Sequence, residues 1–128
     1  MPTTLSSYVL VFVGGGIGAS ARYWLSGFVY EFLPANFPYG NLIVNVLGCF
    51  LIGVLMTSME ERFAATAQVR LFLAVGILGG FTTFSSFSYE TIALLRDADI
   101  LKACVNIVVS VAGCLVATFS GMVVGKLV

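Results

Sequence analysis

Residues 76–90 read GILGGFTTFSSFSYE, and all but the last of them lie in the stretch without charged side chains, 71–89, between Arg70 and Glu90. The paired glycines Gly79 and Gly80, and the hydroxyl residues that follow them, disfavour a continuous helix. Inside a membrane, backbone that leaves the helical path is tolerated only where it is buried in protein or lines a cavity. A broken membrane helix exposes carbonyls that hold a cation and amides that favour an anion. The stretch therefore predicts a broken helix with an ion site near 79–83.

The rest of the chain consists of similar apolar segments. Of its 128 residues, 59% are hydrophobic and 9% are charged, whereas soluble domains carry about 25% charged residues. A helix that spans a bilayer needs about 20 mostly apolar residues, and the breaks between the segments are too short for a soluble domain. We predict one all-α integral membrane domain over 1–128, with four transmembrane helices at about 5–30, 39–60, 69–96 and 101–126. The third of them contains the break.

Charge and residue types argue against several functions. Six basic and six acidic residues give no net charge, and the sequence has no basic block of the kind that binds nucleic acid. Histidine is absent, which removes the usual general base and the commonest metal ligand. Cys49, Cys104 and Cys114 lie in apolar runs without metal-ligand spacing, and we interpret them as packing residues. With no nucleophile–base pair or metal cluster in the sequence, we predict that the chain is not an enzyme.

The basic residues do not favour one orientation in the membrane. Four spans would put three of them on one side: Arg62, Arg70 and Lys126. The other side would carry two or three: Arg96, Lys102 and, if it reaches that interface, Arg22. Because an excess of Lys and Arg marks the cytoplasmic side, this balance predicts insertion in both directions. Oppositely inserted copies can form an antiparallel two-fold dimer, so we predict a dual-topology homodimer.

Two stripes run along the fourth span at four-residue intervals. One stripe is polar or polarisable: Asn106, Ser110, Cys114 and Thr118. The other is small: Gly113, Ala117, Gly121 and Gly125. Small residues predict a close approach of helices, whereas the polar stripe can either hydrogen-bond another helix or line a wet path.

The first three spans carry further polar residues. Arg22 can snorkel to the interface, anchor an anion or hold a carbonyl near a helix break. Asn41 and Asn45 lie one turn apart, and a buried amide needs a partner, either another helix or an anion.

Helical spacing predicts two faces in the second half of the broken helix. Thr82, Ser86 and Glu90 would share one face, and Phe84 and Phe87 would lie roughly opposite. Ring edges carry positive partial charge and can face an anion, although paired phenylalanines more commonly pack in a core. Glu90 is the one acid well inside a predicted span, which makes it a functional candidate.

Three motifs, in order along the chain, resemble those of the Fluc or CrcB fluoride channels. They are GGIGASARY at 15–23, GNLIVNVLG at 40–48 and GGFTTFSSFSYE at 79–90. The resemblance implies a dual-topology homodimer with two antiparallel fluoride pores and a central structural sodium ion that is not transported. The backbone carbonyls of Gly79 and Thr82 would hold this sodium.

The same resemblance implies roles for other residues. Four would line the pore: Asn45, Phe84, Phe87 and Ser110. Four would form a hydroxyl-rich exit track: Thr83, Ser85, Ser86 and Glu90. Independently of the resemblance, four residues are predicted from their own type and position to be structural or packing residues: Arg22, Gly113, Ala117 and Gly121.

These expectations describe a passive, fluoride-selective channel in the bacterial inner membrane that exports cytoplasmic fluoride and so reduces its toxicity. Its partners would be fluoride, a second copy of the chain and lipid, with no nucleic acid. Passive flow needs several weak contacts in place of water and no site that traps the ion. One alternative is a small multidrug-type dual-topology transporter, which needs a carboxylate in its first helix; this chain has no acid before Glu31. Another alternative is a structural subunit without transport.

Overall fold

The structure is a computed structural model that describes residues 4–61 and 64–128. Within those residues it consists of helices and their connections, without strands. The elements are α1 (Leu5–Val29), α2 (Tyr39–Glu61), α3 (Ala67–Arg70), a π-helix (Leu71–Leu78), α4 (Gly79–Phe81), α5 (Phe84–Arg96) and α6 (Ile100–Leu127). Arg62, one of the basic residues in the predicted charge balance, lies outside the described residues.

The predicted all-α fold with a broken third helix is confirmed. Three segments are long and apolar enough to cross a membrane: Tyr39–Glu61, Ala67–Arg96 and Ile100–Leu127. With 25 residues, α1 has the length of a span, and its sequence includes Arg22 and several serines and glycines. The chain is therefore a multi-pass membrane protein.

The break in the third segment lies at Thr82 and Thr83, between α4 and α5. Both residues have extended backbone, with ψ of 155° at Thr82 and φ of −150° at Thr83. The paired glycines, which were expected to contribute to the break, remain helical in α4. The π-helix that precedes them was not predicted, because nothing in its apolar sequence distinguishes it from an ordinary helix.

The glycines instead permit close contact between the broken segment and α1. A Cβ added at Gly18 would collide with the carbonyl oxygen of Ile77, and one at Gly14 would lie 2.8 Å from the carbonyl oxygen of Phe72. A Cβ at Gly80 would collide with the carbonyl oxygen of Gly15. Backbone therefore packs directly on backbone here, as small residues allow between membrane helices.

The small stripe of α6 packs against α2 along part of its length. A Cβ at Gly121 would collide with the carbonyl oxygen of Phe50, and one at Gly125 would lie 2.8 Å from that of Val54. Gly113 has room for a Cβ, whose nearest neighbour would be Val46 at 3.6 Å. Gly113 and Ala117 line an open apolar groove between the two helices. The closest helix contact is thus at the C-terminal half of α6.

Candidate ion pathway

Asn45 of α2 holds the break in place. Its Nδ2 donates to the carbonyl of Thr83 over 2.9 Å, and its Oδ1 accepts from the Thr83 N–H over 2.8 Å. The sequence left two kinds of partner open for this amide, another helix or an anion. In the structure, its partner is another helix. Because the NH₂ group has two donors, one N–H remains beyond the bond to Thr83.

The break also frees backbone carbonyls near the predicted ion site. In an unbroken helix, the carbonyls of Gly79 and Thr82 would accept from the N–H groups of Thr83 and Ser86. The Thr83 N–H donates to Asn45 instead, and the Ser86 N–H donates to Thr83 Oγ1 over 3.3 Å. Both carbonyls thus lose their helical donors, which is the condition under which membrane backbone can coordinate a cation.

Arg22 reaches the break from α1. Its Nε donates to the carbonyl of Gly80 over 3.2 Å. Three roles were considered for Arg22. The structure supports the third of them, in which the side chain holds a carbonyl near the helix break. A charged donor makes a stronger hydrogen bond than a neutral one, so Arg22 ties α1 to the last turn before Thr82.

A cavity of about 240 Å³ lies where α2, the break and α6 meet. The rings of Phe84 and Phe87 form part of its wall, with centroids 5.3 Å apart and planes tilted by 49°. Asn45 and Ser110 supply polar groups to the same wall. None of the described residues that line it is lysine or arginine. The cavity thus combines aromatic rings and neutral hydrogen-bonding groups.

The lining departs from the sequence expectation at two points. Thr82 lines this cavity together with the phenylalanines, although helical spacing had grouped it with Ser86 and Glu90. The helix is interrupted between Thr82 and Ser86, so the 3.6-residue period does not continue across the break. Cys49 and Cys114, interpreted as packing residues, also line the cavity.

A second, wider cleft collects the residues expected to form an exit track. It is lined by Asn41, Ser85, Ser86, Tyr89 and Glu90. Asn41 Nδ2 donates to Glu90 Oε1 over 2.7 Å, which holds that carboxyl group at the cleft. Thr83 lines the first cavity rather than this cleft, but its Oγ1 lies 3.2 Å from Ser85 Oγ and 3.3 Å from Ser86 Oγ. Thr83 therefore connects the two spaces.

A constriction lies between residues of the same two spaces. Its lining includes Asn45, Phe87 and Ser110 from the first cavity and Asn41 and Glu90 from the cleft. The space between them is too narrow for a water molecule. An ion that passes here must replace its water with contacts to these side chains.

A buried hydrogen-bond network supports the constriction. Asn106, 2% exposed, donates through Nδ2 to Thr91 Oγ1 over 2.9 Å, and its Oδ1 accepts from Ser110 Oγ over 3.1 Å. Thr91 Oγ1 in turn donates to the carbonyl of Phe87 over 2.8 Å. The polar stripe of α6 is thus divided, with Asn106 bonded between helices while Ser110 and Cys114 face the cavity. Thr91 was not predicted from the sequence to be a functional residue. The signal that could have identified it is its helical spacing after Phe84 and Phe87.

Side-chain metal ligands do not gather anywhere in residues 4–61 and 64–128. No group of three or more histidine, cysteine, aspartate or glutamate side chains that could hold a metal ion occurs there.

The chain is similar to known proteins over nearly its whole length. Residues 9–122 match the family described as CrcB-like protein, Camphor Resistance (CrcB). The protein named fluoride-specific ion channel FluC from Geotalea uraniireducens (strain Rf4) is 46% identical over 119 residues, which cover 93% of this chain and 94% of that protein. The FluC proteins of Citrifermentans bemidjiense and Geobacter sulfurreducens are each 43% identical over 122 residues, 95% of this chain and 98% of theirs.

Proposed function

This chain belongs to the Fluc/CrcB family, and we propose that it is a fluoride-specific, passive ion channel that exports cytoplasmic fluoride and so reduces its toxicity. The family assignment confirms the resemblance of the three sequence motifs. It also confirms that the chain is not an enzyme, since the family is one of ion channels. A small multidrug-type transporter, the alternative raised by the sequence, has no support from these matches.

The observation that carries the proposal is the cavity between α2, the break and α6. Fluoride is small and strongly hydrated, so a pore must offer hydrogen-bond donors and polarised C–H edges in place of water. The edges of Phe84 and Phe87 supply the second kind of contact. Asn45 supplies a donor through its remaining N–H, and the Ser110 hydroxyl becomes one if it turns from Asn106 to the ion. Neutral groups of this kind bind fluoride weakly enough for it to leave.

We propose that fluoride continues from the constriction along the hydroxyl groups of the second cleft. Thr83, Ser85 and Ser86 lie within hydrogen-bonding distance of one another and can pass the ion between them. Glu90 stands at the same cleft with its carboxyl group held by Asn41. A carboxylate there repels a resident anion, which favours release rather than storage.

We further propose a structural sodium ion, held by the carbonyls of Gly79 and Thr82. The chemistry of the donor set supports it, because both carbonyls have lost their helical donors to Asn45 and Thr83. Two carbonyls are too few to surround a cation, so the ion would be shared with a second chain. When bound, it would supply fixed positive charge beside the break and tie two chains together.

This sharing agrees with the proposed antiparallel, dual-topology homodimer with two pores in the bacterial inner membrane. A two-fold axis through the sodium would bring the same two carbonyls from each chain to the ion. If the site exists, replacing potassium with sodium in the buffer raises the thermal unfolding midpoint of the purified protein, because an ion that binds only the folded state stabilises it. An unchanged midpoint contradicts the sodium site and leaves the pore proposal standing.

Fluoride flux tests the channel itself. Purified protein in liposomes is expected to discharge a fluoride gradient, followed with a fluoride electrode, and to leave a chloride gradient intact. Phe84→Ile and Phe87→Ile should each lower the fluoride flux by at least about tenfold, since each removes ring edges from the wall. Phe119→Ile, which changes a ring of α6 that is 69% exposed, is the matched control and should conduct normally. Correctly folded wild-type protein that does not conduct fluoride would overturn the proposal.

A further inference from the structure

Aromatic rings form a row along one face of α1 at its C-terminal end. Trp24, Phe28 and Phe32 follow one another at four-residue intervals, the first two in the helix and the third in the turn after it. The ring centroids of Trp24 and Phe28 lie 5.5 Å apart with planes 16° apart, and those of Phe28 and Phe32 lie 5.2 Å apart with planes 64° apart. The three residues nevertheless remain 66%, 45% and 72% exposed. This aromatic row therefore contacts itself and presents much of its surface outside the protein.

The aromatic row lies on the side of α1 that faces away from the break. Arg22 donates to the Gly80 carbonyl, and Gly18, one turn earlier, packs on Ile77 from the same face. Because each residue advances a helix by about 100°, Trp24 projects about 200° around the helix from Arg22. In the proposed homodimer the two-fold axis passes through the break, so the aromatic row would lie on the outer side of each chain. A second copy bound about that axis does not cover it.

The aromatic row also lies near one end of the span. Trp24 comes about two helical turns after Ile17, the middle residue of α1. A rise of 1.5 Å per residue puts Trp24 about 10 Å and Phe28 about 16 Å from that middle. The hydrocarbon core extends about 15 Å to either side of the bilayer centre. With the middle of α1 at that centre, the row crosses from hydrocarbon into the headgroup region, where the apolar ring and polar N–H of tryptophan are both accommodated.

The first span has the greatest need of such an anchor. Among the described helices, α1 is of spanning length but is not one of the three segments apolar enough to be recognised as spans. Its Arg22 is turned inward to the break, where it bonds to Gly80. Apolarity alone therefore holds α1 in the bilayer less firmly than the other spans, whereas rings seated at the interface resist both sliding and rotation of the helix.

We propose that the aromatic row of Trp24, Phe28 and Phe32 binds the lipid of the bilayer interface, where hydrocarbon meets headgroups, and so fixes the depth and rotation at which α1 presents Arg22 to the break. The partner is a lipid surface, and the contact does not depend on which ion the protein conducts.

Tryptophan fluorescence tests the position of the row, because Trp24 is the one tryptophan in the chain. The purified protein is reconstituted in vesicles of phosphatidylethanolamine and phosphatidylglycerol whose acyl chains carry bromine either near the headgroup or near the methyl end. Bromine near the headgroup should quench Trp24 at least about twofold more strongly, as expected for an interfacial ring. Since both leaflets carry bromine, the direction of insertion does not affect the result. Stronger quenching by the deep bromine, or no quenching by either lipid, would overturn the proposal.

Variants test whether the rings act together. Phe28→Leu combined with Phe32→Leu keeps both positions apolar and leaves Trp24 as the reporter, and its quenching by the two brominated lipids should become more nearly equal. Phe12→Leu, which changes an 82% exposed ring of α1 outside the row, is the matched control and should keep the wild-type pattern. The same pattern in both variants would overturn the row as one anchor.

Hydrogen exchange tests the second half of the proposal, the link from the aromatic row to the break. In vesicles, replacing Trp24, Phe28 and Phe32 together with leucine should speed amide exchange in peptides that cover residues 79–87, because α1 then holds Arg22 less firmly at Gly80. Phe12→Leu should leave this exchange unchanged. Equal exchange in the two variants would overturn the positioning of α1 by the row.

Discussion

Both polar atoms of the Asn45 side chain are bonded to one residue, Thr83, with Nδ2 2.9 Å from its carbonyl oxygen and Oδ1 2.8 Å from its amide nitrogen. Residue 83 has therefore exchanged its helical partners for a side chain of another helix. This exchange gives the break a defined structure, because the N–H and the carbonyl of Thr83 both keep a hydrogen-bond partner after they leave the helix. Asn45 is accordingly a positioning residue as well as part of the cavity wall.

Asn45→Ala should loosen the break. The Thr83 N–H and carbonyl lose their partners, and a buried unsatisfied backbone group costs about 1–3 kcal/mol. We expect a lower thermal unfolding midpoint and faster amide hydrogen exchange in peptides that cover residues 79–87. Asn36→Ala, which changes an exposed asparagine in the connection before α2, should alter neither property. Unchanged exchange around Thr83 in Asn45→Ala would contradict the positioning role.

The helices and the approximate place of the break could be predicted because they depend on local features. Apolar runs of spanning length are visible in the sequence, and so is the hydroxyl-rich stretch after Gly80. What failed depends on contacts between distant residues. Thr82 was assigned to the wrong face because the period was carried across a break whose position is set by Asn45, 38 residues away from Thr83.

The role of the paired glycines shows the same limit. Their low helix propensity, together with the hydroxyl residues that follow, indicated a break near 79–83, and the break lies in that range, yet both glycines stay helical. The reason lies in α1, where Gly15 comes so close that a side chain at Gly80 could not be accommodated. The sequence indicates that these glycines matter. It does not show whether they provide flexibility or close packing, because that depends on which residue of another helix lies next to them.

The close packing of α1 can be tested with two glycines of that helix. Gly18→Ala should destabilise the protein markedly, because the new Cβ meets the Ile77 carbonyl oxygen and the helices must separate. Gly16→Ala is the matched control, since nothing lies within 4 Å of a Cβ there. It should be neutral or stabilise by about 0.4–1 kcal/mol through reduced freedom of the unfolded chain. Thermal unfolding in detergent compares the two variants, and equal effects would contradict the close packing of Gly18 on Ile77.

Arg22 offers a test of the link between α1 and the break. Arg22→Met keeps most of the side chain's length but removes the donor to the Gly80 carbonyl. A hydrogen bond to a charged group contributes about 1.5–3 kcal/mol, so we expect a lower unfolding midpoint together with reduced fluoride flux. Arg96→Met changes an exposed arginine at the end of α5 and serves as the control. Flux and stability that are the same in both variants would contradict the role of Arg22.

The network beneath the constriction is best tested by a double-mutant cycle on Thr91 and Asn106. Thr91→Val removes the hydroxyl that accepts from Asn106 Nδ2 over 2.9 Å and leaves this buried donor without a partner. An unsatisfied buried donor costs about 1–3 kcal/mol. Asn106→Leu removes that donor, so adding Thr91→Val to it should have a much smaller effect than Thr91→Val alone. The expected coupling energy is about 0.5–3 kcal/mol, the range for residues in direct contact. The free energies of unfolding of the four proteins give this coupling.

A second cycle, of Thr91→Val with Thr118→Val, controls for general effects of replacing threonine with valine in these helices. Thr118 lies on α6 outside this network, so the two substitutions should be additive to within about 0.3–0.5 kcal/mol. The cycle on Thr91 and Asn106 also has a functional readout, because Ser110 Oγ donates to Asn106 Oδ1. Asn106→Leu frees the Ser110 hydroxyl from that bond while leaving it at the cavity wall. If Ser110 must turn from Asn106 to fluoride during passage, the fluoride flux of Asn106→Leu will change by more than its loss of folded protein explains. A flux that falls only in proportion to the amount of folded protein would show that the network is structural only.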